Sequence, residues 1–260
     1  MLCKRKLLLL ICLGLGADLP AFAEEAPFSA NVSLTSNYLY RGISQTGGKP
    51  ALQGGFDYTH SSGFYAGAWG SSISWLSDTY TATGGTAGAN NAGLELDTYF
   101  GFKNSFATDF NYDVGFLRYN YPGTYPAVFA AGAAKADTDE VYGLIGWKWI
   151  SLKYSYSLGN TFGVADAKGT DYIDLSANYP IEDTGIILGA HYGRQDFKGQ
   201  YAGSGPTSLS YDDYKLSISR DFSGYVLGVA YSKTNATAAY TVLGKDLGKG
   251  VLVASIARTF

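Results

Sequence analysis

The stretch "VLVASIARTF", residues 251–260, alternates its side chains and ends on an aromatic residue. Successive side chains of a β-strand point to opposite faces, so Leu252, Ala254, Ile256 and Phe260 share one apolar face. Arg258 interrupts this face, and its long side chain is expected to reach toward lipid headgroups. A chain can end inside a membrane strand if that strand pairs with the first one and leaves no open edge. The stretch therefore predicts the closing strand of a barrel.

The same period of two recurs along the chain. In "FSANVSLTSNYLYRG", which begins at Phe28, the even positions are mainly apolar through Tyr40 and the odd positions are mainly polar. The pattern repeats in about twelve segments, an even number, as in bacterial outer-membrane barrels. The remaining segments, in chain order, are "LQGGFDYT", "YAGAWGSSISW", "LELDTYFGFK", "FNYDVGF", "EVYGLIGWKW", "SLKYSYSL", "YIDLSANY", "IILGAHYG", "YKLSISRDF", "YVLGVAYSK" and "GVLVASIARTF". The sequence predicts an all-β, single-chain antiparallel transmembrane β-barrel.

The lengths of the connections also fit a barrel that runs up and down. Short turns such as "HSSG" and "PIEDT" alternate with long segments such as "SDTYTATGGTAGANN" and "PGTYPAVFAAGAAKA". Outer-membrane barrels have short turns on the periplasmic side and long loops outside the cell. Both termini of the barrel domain are therefore expected on the periplasmic side, where the short turns lie.

The apolar face is expected to contact lipid, because the opposite face is rich in Ser, Asn, Thr and Gly and suits a hydrated lumen. In "YAGAWGSSISW" this interpretation places Tyr65, Trp69, Ile73 and Trp75 on the lipid side. Aromatic residues would then form two girdles at headgroup level. The predicted girdle near the short turns contains Phe56, Tyr58, Tyr65, Phe100, Phe102, Phe110, Trp147, Trp149, Tyr179, Phe222 and Tyr225. The predicted girdle near the long loops contains Tyr38, Tyr40, Trp75, Tyr192, Tyr214 and Tyr231.

Residues 1–23 have the pattern of a secretory signal peptide, with a basic start, an apolar core and "AFA" before Glu24. The barrel domain is then expected to be residues 24–260. Cys3 and Cys12 are the chain's two cysteines, and removal of the leader would leave no thiol. The whole chain carries a formal charge of −3, and without the leader it is still acidic, which argues against nucleic acid as a partner.

Four stretches resemble the TorF family of porins, a group also described as bacterial proteins of unknown function. They are residues 28–74, "LELDTYFGF" at 94–102, residues 140–163 and the ending "ARTF". The resemblance implies an outer-membrane β-barrel that acts as a pore, and it brings no established catalytic residue or substrate. The C-terminal Phe260 is also similar to the signal that such barrels present to their assembly machinery. Expected partners are thus this machinery, outer-membrane lipid and lipopolysaccharide, and small polar solutes or ions.

The function favoured by these patterns is passive diffusion of small polar solutes or ions across the bacterial outer membrane. Charged side chains on the polar faces would line the pore and set its ion preference. The predicted lining residues are Arg41, Asp57, Glu95, Asp97, Asp113, Glu140, Lys148, Lys153, Asp174, His191 and Lys215. Acidic residues slightly exceed basic ones, which favours cations weakly. An alternative is a closed structural or ligand-binding barrel whose lumen is occluded by ion pairs or folded loops.

Catalysis and metal binding are weaker interpretations, and no cofactor is expected. His60 lies in the short turn "THSSG", while His191 in "GAHYG" has Gly193 where barrel phospholipases carry a serine. Glu95 and Asp97 share a face and could hold a hard cation. Wall charges that face Arg41, Lys103 or Lys153 are the more ordinary interpretation of these two acids. An outer-membrane enzyme remains the less favoured alternative.

Overall fold

Sixteen strands and one α-helix make up most of the computed structural model, which describes residues 27–85, 91–124 and 135–260. The predicted leader, residues 1–23, lies outside this part of the chain. In order, the elements are β1 (Phe28–Thr35), β2 (Leu39–Tyr40), β3 (Ile43–Ser44), β4 (Ala51–Thr59), β5 (Phe64–Ser72), α1 (Trp75–Ala82), β6 (Leu94–Phe106), β7 (Phe110–Asn120), β8 (Thr138–Trp147), β9 (Ile150–Ser157), β10 (Asp171–Ile181), β11 (Ile186–Asp196), β12 (Tyr211–Phe222), β13 (Tyr225–Thr234), β14 (Thr241–Val242), β15 (Lys245–Asp246) and β16 (Val251–Thr259). Two short 3₁₀ helices span Gly199–Tyr201 and Ala238–Tyr240.

Twelve of these strands form one closed antiparallel barrel in the order β1-β16-β13-β12-β11-β10-β9-β8-β7-β6-β5-β4. The closing contact joins β1 to β16, with Val32 opposite Arg258 and Leu34 opposite Ile256. Beyond this ladder, the backbone N–H of Phe260 donates to the carbonyl of Ala30 at 2.8 Å. The prediction of a twelve-stranded antiparallel barrel is confirmed, including the closing role of residues 251–260.

The connections alternate in length as the sequence predicts. The barrel strands are joined at one end by the short turns 60–63, 107–109, 148–149, 182–185 and 223–224, and we call this the turn end. The longer connections meet at the other end, which we call the loop end. Two of the predicted long loops fall partly on residues 86–90 and 125–134, which lie outside the described residues.

The outer face of the barrel is apolar. Leu252, Leu216 and Leu52 are 68%, 65% and 62% exposed, and each occupies an outward position in its strand. Within the described ranges, no helix is long and apolar enough to cross a membrane. Most predicted girdle residues are exposed at the expected ends, such as Trp147, Tyr179 and Phe222 at the turn end. At the loop end, Tyr192, Tyr214 and Tyr231 are likewise exposed.

Strand β5 is the place where the predicted lipid face is wrong. Its pairing sets Ala68 opposite Phe56 of β4 and Ala66 opposite Phe100 of β6, so the even positions of β5 point outward. Tyr65 and Trp69 therefore point into the barrel, and Tyr65 is buried. The prediction fails because β5 carries mostly small residues on its lipid face and more aromatic residues on its lumen face. The pairing of β5 with β4 and β6 sets which of its two faces points outward.

The first predicted strand also ends earlier than its alternation suggests. It stops at Thr35, and residues 36–50, which we call the inward segment, turn into the barrel. Tyr40 pairs with Ile43 across a two-residue hairpin whose central residues, Arg41 and Gly42, have φ of 47° and 78°. Such turns require positive φ at both central positions. Tyr38 and Tyr40 consequently lie inside the barrel instead of in the predicted girdle.

Helix α1 fills the loop end of the barrel, where the sequence predicts a loop. Ser74 precedes the helix and its hydroxyl donates to Asp78 at 2.7 Å, while Leu76 is fully buried. Trp75 belongs to this helix and packs against a buried cluster that includes Tyr38, Leu117 and Tyr119, so its predicted girdle position is also wrong. The loop-end half of the lumen therefore contains a hydrophobic core of its own.

Candidate channel interior

Most of the predicted lining residues lie on inward-facing positions of the barrel wall. The strand pairing places them opposite other inward residues, as with Asp174 and Gly193, His191 and Lys215, or Asp113 and Leu144. The residues with this placement are Asp57, Glu95, Asp97, Asp113, Glu140, Lys153, Asp174, His191 and Lys215. Glu95, Asp97 and Glu140 are buried, whereas the others retain partial exposure.

Two of the predicted residues are placed differently. Lys148 lies in the short turn between β8 and β9, with its ammonium 3.9 Å from a carboxylate oxygen of Asp109 and 5.0 Å from the centre of the Trp147 ring. It stands at the rim instead of on the wall, because β8 ends at Trp147. Arg41 is also not a wall residue, since the inward segment carries it into the lumen.

Arg41 forms the main ion pair of the interior. Its guanidinium donates to Glu140 of β8 at 2.7 Å and to the Gln195 side chain of β11 at 2.9 Å. The rings of Tyr40 and Tyr172 lie against it, with centres 4.8 and 4.4 Å away. Burial disfavours the charge on Arg41, but Glu140 and the surrounding tyrosines together outweigh this effect, so the pKa of Arg41 is raised above its ordinary value. The bonds to Glu140 and Gln195 tie the inward segment to two separate strands of the wall, β8 and β11.

Glu95 and Asp97 lie beside this pair on β6, and in the part of the chain that the structure describes neither is bonded to a cation. Glu95 accepts hydrogen bonds from the hydroxyls of Tyr38 at 2.6 Å and Tyr121 at 3.1 Å. Arg41 pairs with Glu140 instead, so the expectation that Arg41 faces Glu95 or Asp97 is wrong. Within the described ranges, one carboxylate oxygen of Asp97 is buried without a hydrogen-bond partner. No group of three or more His, Cys, Asp or Glu side chains in those ranges is placed to hold a metal ion.

His191 is the centre of a second polar network, on β10, β11 and β12. Its Nε2 lies 2.8 Å from Asp213, and its Nδ1 lies 3.3 Å from Asp174. Ser176 lies 3.1 Å from Nδ1, but the serine hydroxyl also donates to Asp174 at 2.5 Å. Carboxylates thus face both ring nitrogens, an arrangement that suits an ion-pair network across the wall.

A third group of charges lies nearer the turn end and is less buried. Tyr65 donates to Asp113 at 2.6 Å and also contacts the hydroxyl of Tyr142. The ammonium of Lys153 lies 4.0 Å from the centre of the Tyr142 ring, and that of Lys103 lies 5.0 Å from the Tyr65 ring. Both lysines and Asp113 retain partial exposure, so the turn end offers charge to whatever enters the lumen.

Several residues inside the barrel are not among those predicted from the sequence. Asp213 and Tyr172 share inward faces with Lys215 and Asp174, so strict alternation within "YDDYKLS" and "DYID" could have found both. Tyr38 and Tyr40 could not be found in this way, because their alternation continues that of β1. Their position follows from the hairpin at Arg41 and Gly42. An added Cβ at Gly42 would overlap Thr234 and Asp213, which shows how closely the inward segment approaches the wall.

Comparison with known proteins supports the architecture. A solved structure described as the NanC porin aligns over 90% of this chain and 98% of its own, with a TM-score of 0.52 and 8% identity. The "KdgM porin in complex with disordered oligogalacturonate" aligns over 90% of this chain and 97% of its own, with a TM-score of 0.47 and 7% identity. At 8% identity, the likeness to the NanC porin concerns the fold alone, and it is this match that supports the architecture. No curated protein matches the sequence.

A family model does match nearly the whole chain. Its description reads "Bacterial protein of unknown function (Gcw_chp)", and it covers residues 22–260. The matched range includes all twelve strands of the barrel.

Proposed function

The chain belongs to this family of bacterial proteins of unknown function, and on that premise we propose that it is an outer-membrane channel for passive diffusion of small polar solutes or ions. The observation that carries the proposal is the sorting of side chains in a closed barrel, with apolar residues outside and charged residues inside. A water-soluble sheet protein would bury its apolar face instead. The resemblance to the TorF porins points in the same direction.

The interior has the properties of a selective passage. Partly exposed Asp57, Asp113 and Asp174 lie on the inner wall with Lys153 and Lys215. Rings of side-chain charge set the preference of a channel for cations or anions. Because buried and partly exposed carboxylates together outnumber the cations, we propose a weak preference for cations.

A closed barrel is the second candidate. The inward segment and α1 form a buried cluster with the wall at the loop end, and this cluster narrows the passage. Its presence favours a small conductance, or none if these segments never move. A catalytic role for Ser176 and His191 has less support, because Asp174 also binds the serine hydroxyl.

Single-channel recording in planar bilayers tests the proposal. The purified barrel should give stepwise currents, and a salt gradient should give a reversal potential of the sign expected for cations. A preparation unfolded by heat serves as the control and should give no steps. Silence of the folded barrel at all voltages and salts would contradict the channel and favour the closed barrel. An anion-selective reversal potential would contradict only the cation preference.

The partners also belong to this proposal. Lipid and lipopolysaccharide would surround the apolar belt, and the assembly machinery would recognise Phe260. Phe260 is 69% exposed at the turn end, so it is accessible to a partner on that side of the membrane.

A further inference from the structure

Two strands end at the turn end with the same outward motif, an arginine followed two residues later by phenylalanine. In β12 the pair is Arg220 and Phe222, and at the end of β16 it is Arg258 and Phe260. The guanidinium carbon lies 5.0 Å from the ring centre in the first pair and 5.2 Å in the second. Residues two apart in a strand share a face, so both pairs point away from the lumen.

The two motifs are close together because β13 is the only strand between β12 and β16. Tyr225, at the start of β13, lies opposite both Phe222 and Arg258, and its ring centre is 4.5 Å from the Arg258 guanidinium. Arg220 lies opposite Leu227, two residues further along β13. We call Arg220, Phe222, Tyr225, Arg258 and Phe260 the arginine–aromatic patch.

Among the described residues, neither arginine of the patch has an anionic partner. In the described part of the chain, neither forms an ion pair or hydrogen bond, although the nearby turn 182–185 carries Glu182 and Asp183. Outward arginines at the loop end differ, since Arg118 bonds Asp139 at 2.9 Å and Arg194 bonds Asp212 at 3.0 Å. Within the described residues, no carboxylate is therefore paired with the charge of the patch.

An unpaired charge beside an apolar belt is costly unless an anion lies next to it. Arginine offers a planar fork of donors that matches phosphate oxygens, and aromatic rings at headgroup level fix the depth of the barrel. We infer that the arginine–aromatic patch binds the phosphodiester of an anionic phospholipid in the periplasmic leaflet. The inference rests on the proposed outer-membrane location, but it does not need an open channel.

Native mass spectrometry of the purified full-length barrel tests this inference. The protein is released from micelles that contain phosphatidylglycerol or phosphatidylcholine, and the number of retained lipids is counted. The wild type should retain phosphatidylglycerol in preference. Arg220→Gln and Arg258→Gln should each weaken that preference by about fivefold, and the double variant should abolish it. Lys233→Gln, which removes an outward cation from the loop end of β13, should leave it unchanged.

Controls for folding and for the identity of the ligand complete this experiment. Folding of each variant is checked by the shift in gel mobility on heating, and the two single variants replace the double one if it does not fold. The inference fails if the wild type shows no preference, or if the arginine variants keep it. Excess inorganic phosphate should not displace the lipid, and displacement would overturn the assignment to a phospholipid. If the barrel gives no current but still retains the lipid through these arginines, the channel proposal is contradicted and the lipid-binding inference is supported.

Discussion

Arg41 and Glu140 form an ion pair whose side chains are buried, with exposures of 7% and 2%. Removing one partner of such a pair leaves an uncompensated buried charge. We expect Arg41→Ala to lower the free energy of unfolding by about 3 kcal/mol or more. The double variant Arg41→Ala/Glu140→Gln should recover at least half of this loss. The measurement is urea unfolding of the barrel in lipid vesicles.

A surface pair provides the control for this prediction. Arg194 is 55% exposed and bonds Asp212 on the outer face, so Arg194→Ala should cost less than about 1 kcal/mol. Equal losses for Arg41→Ala and Arg194→Ala would contradict the view that the buried pair anchors the inward segment.

Gly193 is a position in β11 where close neighbours leave no room for a side chain. A Cβ there would overlap the hydroxyl of Tyr172 and a carboxylate oxygen of Asp213. The Tyr172 hydroxyl donates to Asp213 at 2.8 Å and lies 3.1 Å from Nε2 of His191, so both residues belong to the His191 network. Gly193→Ala should therefore cost about 1–3 kcal/mol in the same unfolding assay. Gly143→Ala is the matched control, because a Cβ at this strand glycine meets nothing within 4 Å. Similar stabilities of the two variants would show that the network is not closely packed.

At the scale of the element, the inward segment occupies the loop-end half of the lumen together with α1, and we expect it to limit flow. Its ends need only a short link, since Thr35 and Ala51 lie directly opposite each other in β1 and β4. Replacing residues 36–50 by an Asn-Gly turn fits this geometry. We expect the single-channel conductance to rise several-fold, because the arginine and the tyrosines leave the lumen.

The control for this variant is a deletion in another connection. Residues 203–207 are exposed and lie outside the buried cluster at the loop end, so their removal should leave the conductance unchanged. An unchanged conductance in the variant without residues 36–50 would show that the segment does not limit flow.

The elements also show where sequence reasoning succeeds and fails. The alternation of β9, with Leu152 and Tyr154 against Ser151 and Lys153, identifies both faces correctly. It fails in β5, where the lipid face holds Ala66 and Ala68 and the lumen face holds Tyr65 and Trp69. Alternation separates two faces but does not say which one meets lipid. A face of small residues is recognised only through the large neighbours that flank it, here Phe56 and Phe100.

At the scale of the whole molecule, the pairing of β1 with β16 that closes the barrel continues to Phe260. The backbone of Phe260 exchanges two hydrogen bonds with Ala30, at 2.8 and 3.2 Å, while its ring stays exposed. Phe260→Ala keeps the backbone bonds and removes only the ring. We expect this variant to refold into lipid vesicles like the wild type, but to accumulate less folded barrel in cell membranes. Gel mobility with and without heating measures the folded fraction in both settings.

Phe28→Ala is the control for the ring at Phe260. Phe28 is also exposed at the turn end and stacks on Phe56, but it begins the first strand instead of ending the last. It should assemble in cells normally. Equal assembly of the Phe260 and Phe28 variants would remove the case for Phe260 as a recognition signal.

The sequence by itself determined the number of strands, their antiparallel order, the closing role of residues 251–260 and the apolar character of the outer face. These features follow from a period of two and from connection lengths, which are local properties of the chain. The tertiary structure alone decided that residues 36–50 enter the barrel, that Arg41 meets Glu140, and that Tyr65 and Trp69 face the lumen. Such contacts join residues far apart in the chain, as Arg41 and Glu140 are, and only the closed ring of strands brings them together.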